Sequence, residues 1–95
     1  MSKFVFLYYG EADPTEDLMA SWMEWFSSIG DKIVDSGNPF GHGREVTKSG
    51  STDLTHGMDA ATGYSIVNAD SIDHAEKLLV GCPSPQVRVF EAMPM

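Results

Sequence analysis

Three histidines, His42, His56 and His74, are the side chains of this 95-residue chain whose ordinary pKa lies nearest neutrality, the range a general base needs. His42 falls in the turn cluster Asn38 to Gly43, just ahead of Arg44, where it could stand at the mouth of a cavity. The plainer reading is a solvated turn residue, so His42 is a weak catalytic candidate and no other is put forward. His56 has Asp53 and Asp59 three residues to either side, which suits a His–carboxylate pair. Irregular loop spacing of that kind lacks the geometry of known metal motifs, and no metal site is expected. His74, flanked by Asp70 and Asp73, reads as a surface residue. The single cysteine, Cys82, precedes Pro83 at a helix C-terminus, where the dipole disfavours a thiolate, and is read as structural. Neither G-x-G-x-x-G between strand and helix nor G-x-S-x-G occurs, and no cofactor is expected.

The aromatic residues say more. Phe4, Phe6, Tyr8, Tyr9, Trp22, Trp25, Phe26 and Tyr64 recur at strand or helix spacing, which usually marks core or interface. The alternative is an apolar pocket with a few polar handles, the common form of a small-molecule site. On that reading Tyr8, Trp22, Trp25, Phe26 and Tyr64 are the candidate ligand-binding residues, with phenol and indole groups as handles. Met19, Met23 and Met58 are suited to an adaptable wall.

These side chains need elements to position them. Lys3 to Tyr9 is aromatic and β-branched, and alternation puts Phe4, Phe6 and Tyr8 on one face and Val5, Leu7 and Tyr9 on the other. Asp13 is placed as an N-cap with Pro14 at the first helical position. Leu18, Trp22, Trp25, Ile29 and Ile33 then recur at helical spacing, predicting a helix over 15–35 that ends at Gly37, with Gly30 weakening it locally. Arg44 to Lys48 reads as a short second strand, and Gly50 to Ala61 as a long polar connection. Gly63 to Ala69 reads as a third strand. Asp70-Ser71 caps a helix from Ile72 to about Val80, with Ile72, Ala75, Leu78 and Leu79 inward, and Gln86 to Met93 is the last strand.

The order β-α-β-β-α-β is the ferredoxin-like arrangement: one α+β domain over 1–95, an antiparallel sheet with two helices on one face. Two helices cover one side of such a sheet, yet the first strand is apolar on both. An exposed patch of that size is unusual for a monomer, and a homodimer packed sheet against sheet is expected.

Fourteen Asp and Glu against six Lys and Arg leave a net charge of −8. Nothing there neutralises a phosphate backbone, so neither nucleic acid nor an anionic membrane is an expected partner. One cysteine cannot form an internal disulfide, and the N-terminal stretch lacks the form of a secretory signal, so a cytoplasmic location is expected.

Several landmarks together resemble the YCII-related (DGPF-domain) family of small bacterial proteins. They are the opening FVFLYYG, the W-M-E-W-F helix at Trp22 to Phe26, and SGNPF at Ser36 to Phe40. TGYSIVNADSIDHAEKLLVGCP from Thr62 to Pro83 and the closing VRVFEAMPM complete the pattern across nearly the whole chain. The resemblance implies a dimeric α+β barrel with a cavity between sheet and helices, in a superfamily that includes isomerases, monooxygenases and dehalogenating enzymes. Where one branch carries Asp-Gly-Pro-Phe this chain has Asp59-Ala60-Ala61-Thr62-Gly63, and where the other carries a helical His its first helix has none.

Three functions follow as expectations. The first is binding of a small apolar or aromatic molecule between sheet and helices. The second is cofactor-free proton transfer on a small cyclic substrate, with His42 as base steered by Tyr8 or Tyr64. The third is a non-catalytic regulatory subunit that works through its dimer surface or the 50–61 segment.

Overall fold

The computed structural model describes residues 2–10, 15–54 and 60–94. Strand β1 (Ser2–Tyr9) leads to helix α1 (Glu16–Ser28), a single 3₁₀ turn (Gly30–Lys32) and strand β2 (Ile33–Asp35). A hairpin follows, β3 (Arg44–Thr47) and β4 (Gly50–Asp53), then β5 (Ala61–Ala69), α2 (Ile72–Lys77) and β6 (Gln86–Ala92). The main sheet runs β2-β5-β1-β6 and every pairing is antiparallel. With the hairpin set aside, this is the ferredoxin-like strand order, and the chain is an α+β fold.

Alternation in β1 is realised as read. Phe4, Phe6 and Tyr8 are buried under the helices, where they pack with Trp25 and Ile29 of the α1 segment, Val67 and Ala69 of β5, and Ala75 of α2. Ala75 is the inward residue of α2, whereas Ile72, expected beside it, is exposed in the helix's first turn. Ser71 caps that helix, its side chain accepting from the His74 backbone N–H at 3.1 Å.

Helix α1 differs from expectation at both ends. Thr15 is its N-cap, its Oγ1 accepting from the Leu18 backbone N–H at 3.1 Å; Asp13 and Pro14 lie outside the described residues. The helix stops at Ser28 rather than near residue 35. Gly30 costs about 1 kcal/mol in a helix interior, and the β-branched Ile33-Val34 pair that follows favours strand. Ile33 therefore pairs with Val67 as the second strand of the main sheet. Its helical spacing from Ile29 is coincidental.

The segment 44–48 is correspondingly not that second strand. Arg44 to Thr47 pairs with Gly50 to Asp53 in a separate two-stranded sheet, exposed along its whole length, so part of the expected 50–61 connection is strand. Residues 55–59, with His56, Met58 and Asp59, lie outside the described part.

Candidate functional site

Beyond the carboxyl end of β1, the sheet and α1 diverge and enclose a cavity of about 340 Å³. Tyr8 and Gly63, which face each other across β1 and β5, form its floor with Thr62. Leu18, Met19, Trp22 and Phe26 line it from α1. The segment Ser36 to Pro39 and the turn Pro83 to Pro85 supply the remaining walls, with Tyr64 at the edge. The volume is at the small end of the range for ligand pockets. Among the described residues no Asp, Glu, Lys, Arg or His lines it.

The aromatic walls are braced against one another. The Trp22 ring meets Tyr8 edge-on with centroids 4.9 Å apart and lies 5.7 Å from Phe26 at a shallow angle. Such contacts hold rings in place at about 0.5–1.5 kcal/mol each beyond the area they bury. The opposite wall is fixed by Gly37, whose φ of +79° disfavours a side chain. A β-carbon there would lie 1.7 Å from the Tyr64 carbonyl oxygen, so only glycine lets this segment cross the strand so closely.

The polar groups form a directed chain. The Tyr8 hydroxyl donates to Ser65 Oγ at 2.8 Å, and Ser65 Oγ donates to the Ser36 carbonyl at 2.7 Å. Ser65 is fully buried, and burial holds the Tyr8 phenol above the usual tyrosine range. Elsewhere the Thr62 hydroxyl donates to the Tyr8 carbonyl at 3.3 Å and the Ser84 hydroxyl to the Gln86 carbonyl at 3.0 Å.

The residues singled out in the sequence divide. Tyr8, Trp22 and Phe26 come together around the cavity. Trp25 does not line it. At 3% exposure it lies in the core, its indole Nε1 donating to the Leu78 carbonyl at 2.9 Å. Tyr64 touches the cavity, but its strand position pairs with Leu7, on the face turned away from the helices. Its phenol donates to Asp35 Oδ2 at 3.1 Å, and that carboxylate holds it above the usual tyrosine range. His42 is not among the lining residues. Its side chain is 69% exposed beside the hairpin, with Nε2 3.5 Å from Asp53 Oδ1, which also accepts from Arg44 Nε at 3.0 Å. His74 accepts from the Asp70 backbone N–H through Nδ1 at 3.1 Å. Cys82 packs beside the core, and burial pushes its thiol up, away from thiolate. Ser65, Ser36 and Gly37 are the site residues that sequence reading missed. The glycine after Ser36 is the signal available, but in sequence it reads equally as a helix end.

No protein-family model matches the chain, and no curated protein matches it in sequence. Its fold is similar to that of the 5-chloro-2-hydroxyhydroquinone dehydrochlorinase (TftG) of Burkholderia phenoliruptrix AC1100, solved in complex with 2,5-dihydroxybenzoquinone. The two share 16% identity at a TM-score of 0.60, over 96% of this chain and 93% of that one. The likeness is one of fold. No helix among the described residues is long and apolar enough to cross a membrane, and no three metal-ligating side chains converge among them.

Proposed function

We propose that this protein binds a small, uncharged, planar molecule of one or two rings in the cavity between the sheet and α1. The observation that carries the reading is a cavity of about 340 Å³ walled by Tyr8, Trp22 and Phe26, with no charged side chain among its described lining residues. Moving an ion from water into such surroundings costs several kcal/mol with nothing to compensate it, whereas a flat ring gains dispersion and burial against three aromatic faces. The similar fold that carries 2,5-dihydroxybenzoquinone supports a ligand of this size and shape. YCII-related membership, read from the motifs between Phe4 and Met95, belongs to the same proposal, as does a cytoplasmic location, which rests on a lone, half-buried cysteine.

The working unit is a homodimer joined through the uncovered sheet face. There Ile66, Val5 and Phe90 stand abreast across β5, β1 and β6, with Leu7 in the next row. Phe90 is 52% exposed, and Val34 of β2 is exposed on the neighbouring edge strand. A second copy of the same face buries this stripe. Proton transfer by His42 gains no support from the geometry, because its Asp53 partner and its exposure place it on the hairpin rather than at the cavity.

Titration with 2-naphthol, followed by Trp fluorescence and thermal unfolding, tests the cavity reading. At 100 times its dissociation constant a bound ligand stabilises the fold by about 2.7 kcal/mol. 2-Naphthalenesulfonate, the same ring with a permanent charge, is expected to bind at least tenfold more weakly. Absence of any shift with 2-naphthol, or equal binding of the sulfonate, would refute the proposal.

A further inference from the structure

We infer that the cavity selects ligands that donate hydrogen bonds, a hydroxyarene or an N–H heteroaromatic rather than a ring bearing only carbonyl or ether oxygens. The inference rests on the cavity being the binding site, as proposed above. A carbonyl oxygen only accepts, so the one proton of Ser65 Oγ is committed to Ser36. Ser65 must then accept from Tyr8, which commits the phenol proton as well. With both bonds short, at 2.8 and 2.7 Å, and Ser65 fully buried, the Tyr8 oxygen keeps only lone pairs for a ligand. Thr62 and Ser84 repeat the pattern more loosely, their protons turned to backbone carbonyls at 3.3 and 3.0 Å. Pro39, Pro83 and Pro85 bring no backbone N–H to the lining. Among the lining side chains, the Ser36 hydroxyl, the Asn38 amide and the Trp22 indole stand against this as donors.

A ligand hydroxyl directed at Tyr8 therefore gains a bond and breaks none. A ligand carbonyl at the same place gains a bond only if Tyr8 abandons Ser65, and the exchange is close to neutral. The difference is one hydrogen bond, about a threefold to tenfold preference in affinity.

The test compares 2-naphthol with 2-methoxynaphthalene by calorimetric titration of the intact protein. The ether is the more hydrophobic probe, so nonspecific partition works against the expected order. The wild-type protein is expected to prefer 2-naphthol by about threefold to tenfold. Tyr8→Phe, which leaves the Ser65–Ser36 bond in place, is expected to bring the two probes within about twofold of each other by weakening 2-naphthol. Ser65→Ala releases the Tyr8 proton, and there the ether is expected to gain while 2-naphthol holds. Equal binding of the probes by the wild type, a preference that survives Tyr8→Phe, or no gain by the ether in Ser65→Ala overturns the inference and leaves the cavity reading standing. Failure of both probes to bind the wild type removes the cavity reading, and this inference with it. Should Tyr8→Phe not fold, the wild-type ratio and Ser65→Ala decide.

Discussion

Trp22 and Trp25 sit three residues apart on one helix, and the structure assigns them different work: Trp22 to the cavity wall, Trp25 to the core. Trp25→Phe separates the two roles. The substitution removes the indole N–H that meets the Leu78 carbonyl at 2.9 Å, leaving a partly buried acceptor short of a partner at about 1–3 kcal/mol. It also removes ring volume from a site only 3% exposed and weakens packing against Phe6, Tyr8 and Phe26, worth about 1–2 kcal/mol more. The sum, about 2–5 kcal/mol, is a large part of the 5–15 kcal/mol that holds a typical domain. At a urea slope of about 1–3 kcal/mol/M the unfolding midpoint is expected to fall by roughly 2 M. Affinity for 2-naphthol, measured well below the new midpoint, is expected to stay within about twofold of wild type, because Trp25 contributes nothing to the lining. Trp22→Ala is expected to do the reverse, weakening 2-naphthol by about tenfold, equivalent to about 1.4 kcal/mol, with the smaller loss of stability suited to its partial exposure. Unchanged stability with tenfold weaker binding in Trp25→Phe would refute the division of labour.

Other outcomes follow from the same structure. Gly37→Ala places a methyl group 1.7 Å from the Tyr64 carbonyl oxygen at a φ of +79°, and is expected to lower stability by at least about 1–2 kcal/mol and to weaken 2-naphthol as the 36–39 wall shifts; wild-type behaviour in a thermal melt would show that the wall is not fixed this way. Phe90→Lys puts a charge on the uncovered face, on its edge strand β6, and is expected to yield 10.4 kDa protomers by light scattering at micromolar concentration, where the proposed dimer predicts twice that mass for the wild type. Because burial raises the folded-state pKa of Tyr8 above its ordinary 10.0, its contribution is whole below pH 10 and is lost as pH climbs toward the folded value. Stability is therefore expected to fall above pH 10 by up to about 1.4 kcal/mol per unit, a slope that Tyr8→Phe should reduce in urea melts at stepped alkaline pH.

Local pattern was enough for a good part of this fold. Lys3 to Tyr9 alternates between two apolar faces, which marks a strand inside a sheet, and β1 does lie between β5 and β6. The Trp-rich stripe of α1, the Ser71 cap and the strands at 63–69 and 86–92 are likewise properties of near neighbours in sequence. Where two periods fit one segment, local pattern could not choose. Ile29 and Ile33 suit both a continuing helix and a break into strand, and the choice was made by Val67, which offers Ile33 a ladder partner from far along the chain. The hairpin at 44–53 is not legible in the sequence because its turn, Lys48-Ser49, carries none of the usual glycine or asparagine signals ahead of Gly50.

The same limit governs the site. Aromatic spacing placed Tyr8, Trp22 and Phe26 on inward faces but could not separate cavity wall from core, since both are inward. Trp25 became core because α2 brought the Leu78 carbonyl to its indole. Tyr64 was turned from the pocket to Asp35 by a register that sets Gly63, and not its neighbour, opposite Tyr8. The chain from Tyr8 through Ser65 to Ser36 joins three strands or strand ends far apart in sequence. Periodicity reports which way a side chain points, whereas hydrogen-bond direction depends on which acceptor the folded chain sets beside it, and that is decided only when the sheet closes.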